Sequence, residues 1–278
     1  MDRDTFFRHY PLRSKYANKF THGRLLFISG SHGMAGACIL NLIGARCTGV
    51  SFVHAVVPES IYPIVAGKEI TTVFHPDECR DPGFLKQLDL YDKVDAIAFG
   101  SGLDRHPFAR EYLIDVLKDA KVPVVVDAKG LRLLAEDASL YELPSQMILT
   151  PHLGEFSALC HLPIETIKED RERIAIDFAA NKKVTLVLKG PDTLIVSREG
   201  SLYHNESGNE ALARAGSGDV LTGMICGLCA LYEDKLQAVR DAVWLHGHLC
   251  DETVRNHSKE LFDLTAYPQY AEAFFDQK

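Results

Sequence analysis

The stretch Ala215-Gly216-Ser217-Gly218-Asp219-Val220-Leu221-Thr222-Gly223 decides how this chain is read. Two glycines flank a serine, an aspartate follows, and a helical apolar pattern runs on through Met224, Ile225, Leu228 and Leu231. Glycine lets the backbone turn so that successive N–H groups face one concavity. A helix that starts there adds unpaired donors and the positive end of its dipole, which together hold an anion such as a phosphate. Asp219 stands where it can take a proton from a hydroxyl attacking that phosphate. Ser and Asp are also ordinary helix caps. The string by itself leaves both readings open.

Outward from this corner, strand-like runs alternate with helical ones. Leu25 to Ser29, Val50 to Val57, Ala96 to Phe99, Val122 to Val126, Met147 to Leu149 and Val184 to Leu188 read as short apolar strands. Cys38 to Cys47, Phe108 to Lys118 and Ala238 to Arg255 read as helices. Short runs rich in Val and Ile, separated by helices, predict a mostly parallel sheet covered on both faces. In such sheets ligands sit at the carboxyl ends of the strands. Gly30, Gly102, Asp127, His152 and Lys189 each follow a strand, so the pattern brings them to one edge. No linker, low-complexity tract or repeat interrupts the chain, and a single α/β domain over residues 1–278 is expected.

Lys plus Arg is 30 and Asp plus Glu is 38, a formal charge of −8. An acidic protein lacks the basic footprint of non-specific nucleic-acid binding, so a phosphorylated ligand has to be held by local donors. The start, Met1-Asp2-Arg3-Asp4-Thr5-Phe6, lacks the apolar core of a secretory leader. No run reaches the ~18 apolar residues of a membrane span, and a cytoplasmic protein is expected. Seven scattered cysteines fit a reducing compartment better than a disulfide framework. Cys226 and Cys229 have CxxC spacing but no second pair, and they read as small buried helix residues. His246, His248 and Cys250 lie in one helical stretch without a metal-binding pairing.

Four further segments accompany the opening motif. They are Ser29-Gly30-Ser31-His32-Gly33-Met34-Ala35-Gly36-Ala37, Gly100-Ser101-Gly102, Thr150-Pro151-His152-Leu153-Gly154-Glu155 and Lys189-Gly190-Pro191-Asp192-Thr193. In this order and spacing the chain resembles the ribokinase-like proteins and, within them, the nucleotide-dependent NAD(P)H-hydrate dehydratases, over roughly residues 20 to 270. The resemblance implies a three-layer α/β/α sandwich around a mostly parallel sheet. It implies dehydration of hydrated NADH or NADPH, the S-form of NAD(P)HX, with ADP or ATP as co-substrate and Mg2+ as cofactor. It also implies a homo-oligomer, often a tetramer.

By the same resemblance Asp219 is the catalytic base and Gly216, Ser217 and Gly218 form the anion hole. Ala37, Gly102 and His152 touch substrate, and Lys189, Gly190, Pro191, Asp192 and Thr193 lie along the nucleotide, with Gly218 beside them. Other readings of these residues stay open. His152 is otherwise a loop histidine and Lys189 a surface cation. Glu155 either orients a water on magnesium or starts the next helix, where acidic residues are favoured.

The chain departs from the family pattern where Asp127-Ala128-Lys129 replaces Asp-Ala-Asp and Asn209-Glu210-Ala211-Leu212 replaces Asn-Pro-Gly-Met. Arg214 stands where a small polar residue is usual, and points either at the anion hole or to solvent. Asn209 is a further auxiliary candidate. Two rival functions use the same residues: a kinase for a small hydroxyl-bearing metabolite, such as a sugar or hydroxymethylpyrimidine, and a nucleotide-binding protein without catalysis.

Overall fold

Apolar runs too short for buried helices become strands in the computed structural model, which describes residues 1–276. The strands are β1 (Arg24–Ile28), β2 (Phe52–Pro58), β3 (Val73–Asp77), β4 (Ala96–Phe99), β5 (Pro123–Val126), β6 (Gln146–Leu149), β7 (Thr185–Leu188), β8 (Thr193–Val196) and β9 (Leu202–Asn205). They form one sheet in the order β3-β2-β1-β4-β5-β6-β7-β8-β9. Pairing is parallel from β3 to β7 and antiparallel across β7, β8 and β9. The expected mostly parallel sheet is present.

Alternate side chains feed two cores, as a period of two requires. Leu25, Phe27, Ala96 and Ala98 meet helices Ala35–Arg46, Ser217–Leu231 and Lys235–Asn256 on one face. Leu26, Ile28, Ile97 and Phe99 meet helices Ala109–Asp119, Lys129–Glu136, Leu153–Cys160 and Arg171–Lys182 on the other. Three layers result. On the first face, Phe6 of the N-terminal helix Arg3–His9 packs on Trp244 and on Phe274 of the C-terminal helix Tyr267–Asp276.

Three strands lay outside the sequence expectations. β3 contains His75 and Pro76, which lower its strand signal; proline is tolerated because β3 is an edge strand. β8 and β9 form the antiparallel end, and β9 is mostly polar and partly exposed. The expected strands are found with ends shifted by one or two residues, as at Thr185–Leu188.

Two helices approach backbone to backbone. A Cβ on Gly44 would stand 2.1 Å from the Val220 carbonyl oxygen, and one on Gly223 would stand 2.0 Å from that of Asn41. Helix Ala35–Arg46 and helix Ser217–Leu231 are therefore locked at a separation that only glycine permits. β1 leads into the first and the anion corner begins the second, so their contact sets how the two ends of the site face each other.

The strand order reverses around β1, whose neighbours are β2 and β4. The loops after β1 and β4 meet there, and the Gly30 amide donates to the Ser101 carbonyl at 2.8 Å. Ligands in open α/β sheets bind at such a reversal.

Candidate active site

Gly216 has φ +91°, a left-handed conformation, and a Cβ there would stand 2.3 Å from Leu40. Glycine is needed for the turn and for the space. Helix Ser217–Leu231 starts immediately after it. Its Ser217 amide donates to the Arg214 carbonyl at 3.3 Å and the Val220 amide to the Gly216 carbonyl at 3.1 Å. The amides of Gly218 and Asp219 have no acceptor among the described residues, as expected of a helix start. A cavity of about 720 Å³ opens over this corner, a size suited to a nucleotide-like ligand.

Asp219 is on the wall of that cavity. Its carboxyl is pushed up to about 7, chiefly by burial and next by the negative charge of Asp127. The Ser101 hydroxyl and the Lys189 ammonium pull the other way. Asn41 fixes its backbone, donating from Nδ2 to the Asp219 carbonyl at 2.8 Å and to Ser101 Oγ at 3.2 Å.

Lys189, at the end of β7, donates to Asp127 Oδ1 at 3.1 Å, and Thr150 Oγ1 donates to the same oxygen at 2.9 Å. Burial weighs against the Lys189 charge, but Asp127, Glu155 and Asp219 outweigh it and hold the ammonium above its ordinary range. Lys189 is thus a partly buried cation between carboxylates, not a surface lysine. Its Nζ lies 3.1 Å from where a Gly218 Cβ would be, directly beside the anion corner.

His152 caps helix Leu153–Cys160, its Nδ1 accepting from the amides of Gly154 at 3.0 Å and Glu155 at 3.2 Å. Glu155 returns the bond, accepting from the His152 amide at 2.9 Å. Both residues line the cavity, so Glu155 starts a helix and faces the ligand space at once. The turn after β7 is closed by Thr193, whose hydroxyl donates to the Gly190 carbonyl at 2.9 Å. Lys189, Gly190, Pro191 and Thr193 line the cavity. Asp192 does not: its carboxylate meets His204 at 3.2 Å and is 55% exposed. The Asp192 side chain turns outward in the tight turn, away from the cavity wall that its neighbours form.

Ala37 and Gly102 lie off the main cavity but against each other. A Cβ on Gly102 would come 2.7 Å from that of Ala37, and Gly102 has φ +68°. This contact is at the sheet reversal, one helical turn from Asn41. Asn41 thus links the helix that carries Ala37 to Asp219 on the cavity wall.

Arg214 is exposed on the cavity rim, and its guanidinium is engaged by backbone carbonyls. Its guanidinium donates to the carbonyls of Phe262 and, at 3.1 Å, Glu260, and its centre lies 5.8 Å from the Phe262 ring. It ties the anion-corner loop to the segment before the C-terminal helix. Asn209 lines the cavity, with its amide nitrogen donating to Asp251 at 2.7 Å.

His246, in sequence only a candidate metal ligand, lines the cavity with its Nε2 3.4 Å from Ser217 Oγ. Burial pushes it down to about 4, so the ring is neutral. His248 instead stacks on Trp244, and Cys250 contacts Asn209. The three do not form one ligand set. The signal for His246 was its neighbour Gly247, a glycine in mid-helix. A Cβ on Gly247 would meet Ser207 at 2.4 Å, so this helix was built to be approached closely by the loop over the cavity. Cys226 and Cys229 are fully buried, as expected.

A sheet with helices on both faces, a glycine-turned helix start over a nucleotide-sized cavity and an aspartate at its edge make a three-layer α/β protein with one composite site. The same fold is found in a ribokinase-like protein of Enterococcus faecalis V583, at TM-score 0.86 and 22% identity, covering 99% of this chain and 95% of that one. Residues 25–267 match the family model for NAD(P)H-hydrate dehydratase, and the chain belongs to that family.

The ADP-dependent (S)-NAD(P)H-hydrate dehydratase of Bacillus subtilis (strain 168) is 33% identical over 250 residues, covering 89% of this chain and 87% of that protein. A crystal structure of the ADP/ATP-dependent enzyme from Bacillus subtilis, grown with ATP and Mg2+, superposes at TM-score 0.88 with 30% identity, covering 99% and 97% of the two chains. The bifunctional NAD(P)H-hydrate repair enzyme Nnr of Moorella thermoacetica is 35% identical over 260 residues, covering 90% of this chain. The chain spans about half (48%) of the length of that bifunctional relative.

Proposed function

We propose that this protein uses a nucleotide to dehydrate hydrated NADH and NADPH, converting (S)-NAD(P)HX to NAD(P)H with ADP going to AMP and phosphate, the chain acting as one ribokinase-like unit. The observation that carries the reading is the placement of Asp219. It is half-buried, pushed up to about 7, and lies on the wall of a nucleotide-sized cavity beside an anion corner, with its backbone tied by Asn41 to the helix that carries Ala37. A base near neutrality can accept a proton at working pH.

Hydroxide leaves carbon poorly and phosphate leaves well. In the proposed sequence Asp219 takes the proton of the hydrate's hydroxyl as its oxygen attacks the terminal phosphoryl group, and the bond to the nucleotide's leaving oxygen breaks. The Gly218 and Asp219 amides and Lys189 offset the charge on the transferring group. The phosphate ester then eliminates phosphate, and the ring proton lost from the neighbouring carbon restores the double bond.

The oxygen donors of Asp127 and Glu155 on the cavity wall suit magnesium, which binds oxygen ligands and keeps several waters. When bound it would supply charge neutralisation on the nucleotide phosphates. The B. subtilis crystals grown with ATP and Mg2+ support that choice. Seven cysteines, all free, support a reducing cytoplasm. A homo-oligomer is the state that the family resemblance favours.

Purified protein given hydrated NADH, magnesium and either ADP or ATP should regenerate the absorbance of reduced nicotinamide and release phosphate. Activity should vanish in excess chelator. A stable phosphorylated product without return of that absorbance would instead establish a kinase. Nucleotide binding without turnover on any hydrate would overturn catalysis altogether.

A further inference from the structure

Away from the cavity, at the open edge of the sheet, three side chains of different chemistry converge on one point. Asp77 ends β3, Cys79 follows it in the turn, and His106 comes from the loop after β4. His106 Nε2 is 3.0 Å from Asp77 Oδ2 and 3.5 Å from Cys79 Sγ, and the three donor atoms lie within 4.8 Å of one another. Asp77 and His106 are buried, at 2% and 7% exposure, while Cys79 is half-buried.

We propose that Asp77, Cys79 and His106 form a zinc site that pins the edge strand β3 to the loop carrying Gly100-Ser101-Gly102. Zinc takes Cys, His and carboxylate ligands in tetrahedral geometry, with a Zn–S bond of ~2.3 Å and Zn–N and Zn–O bonds of ~2.0 Å. Those lengths place neighbouring ligand atoms about 3.3–3.6 Å apart. The Sγ–Nε2 separation already has that value, and the Nε2–Oδ2 separation needs to open by a few tenths of an ångström.

The other reading of Asp, His and Cys together is a nucleophilic relay, and the geometry rejects it. A relay needs the acid and the nucleophile on opposite ring nitrogens. Here Asp77 and Cys79 both meet Nε2, while Nδ1 accepts from the Phe108 amide at 3.2 Å.

Two further features suit an ion. Cys79 holds φ +57°, a strained conformation for a side-chain-bearing residue, and that turn brings its sulfur onto the imidazole. Tyr112, fully buried, donates to Asp77 Oδ2 at 2.7 Å and would orient the carboxylate toward a metal. The half-exposed side at Cys79 gives entry and a place for water as fourth ligand. Binding releases the thiol proton and moves the ring proton from Nε2 to Nδ1, so the Phe108 amide contact has to open.

The test starts from protein stripped with chelator and uses Co2+, then Zn2+, as probes. One Co2+ should bind per chain with the charge-transfer absorption of a cobalt–thiolate bond. Zn2+ should displace it and raise Tm. Cys79→Ser, at a half-exposed position, should keep the circular dichroism spectrum yet lose the band and the zinc-dependent rise in Tm. Tyr112→Phe should weaken zinc about 10–100-fold. Absence of the thiolate band in the wild type, or its survival in Cys79→Ser, would overturn the site. His106→Ala should likewise lose the zinc-dependent rise in Tm, and if it fails to fold the Cys79→Ser spectrum decides alone.

Discussion

At the scale of single residues, Asp219 is a carboxylate whose environment opposes its charge. Asp219→Asn keeps the shape and removes the base, and should lower kcat about 10²–10⁴-fold. A variant with more than half of wild-type kcat would remove Asp219 from the chemistry. In the wild type, kcat should rise with pH through about 7, the value to which burial and Asp127 push this group. The sign for stability is opposite. A raised carboxyl pKa means the folded state holds a proton that the unfolded state has released, so stability falls as pH climbs from the ordinary 3.8 to about 7 and is level above. Asp219→Asn should therefore melt higher than wild type at about pH 8 and alike at about pH 4. Arg214 belongs to a different kind of residue. Its bonds to the carbonyls of residues 260 and 262 make it a tie between loops. Arg214→Thr should cost about 1–3 kcal/mol in denaturant melts and change kcat less than tenfold. A collapse of kcat at unchanged stability would return Arg214 to the phosphoryl group.

At the scale of elements, the glycine-mediated contact of helices Ala35–Arg46 and Ser217–Leu231 carries the site. Gly223→Ala would drive a methyl group into the Asn41 carbonyl. Overpacking of this kind costs about 1–3 kcal/mol, and here backbone has to move with it. The expected result is a lower denaturation midpoint and a fall in kcat larger than the loss of folded protein accounts for, since Asn41 holds Asp219. Wild-type kcat per folded molecule would separate helix spacing from catalysis. Sequence made much of this level legible. The helix after Asp219, the strands ending at Gly30, Gly102, Asp127, His152 and Lys189, and their convergence all follow from periodicity and the rule for strand ends. It could not reveal that Asp192 turns outward or that Arg214 reaches the segment at 260–262, because a side chain's direction in a turn is set by tertiary partners. His246 stayed hidden for a related reason. A buried histidine on an amphipathic helix has the same pattern whether it faces the core or a cavity, and only the loop at Ser207 decides.

At the scale of the whole molecule, the two termini close one face together. Phe6 is fully buried among Trp244, Phe274 and Phe275, and Arg3 donates to the Phe274 carbonyl at 3.2 Å. Phe6→Ala should cost about 3–5 kcal/mol, the usual loss for a buried phenylalanine, with kcat per folded molecule unchanged because the cluster lies outside the cavity lining. Loss of activity at full stability would mean that the clasp reaches the site. The bond from Asn41 to the Asp219 carbonyl joins residues 178 positions apart. Contacts so distant along a chain carry a large loop-closure cost and slow folding. The anion corner is made by the last third of the sequence but is set in place by a helix from the first fifth. A chain that has not yet packed helix Ser217–Leu231 on helix Ala35–Arg46 has no proton acceptor in position. Recovery of turnover on refolding should therefore coincide with the slowest structural phase, making the reaction itself a clock for the completion of folding.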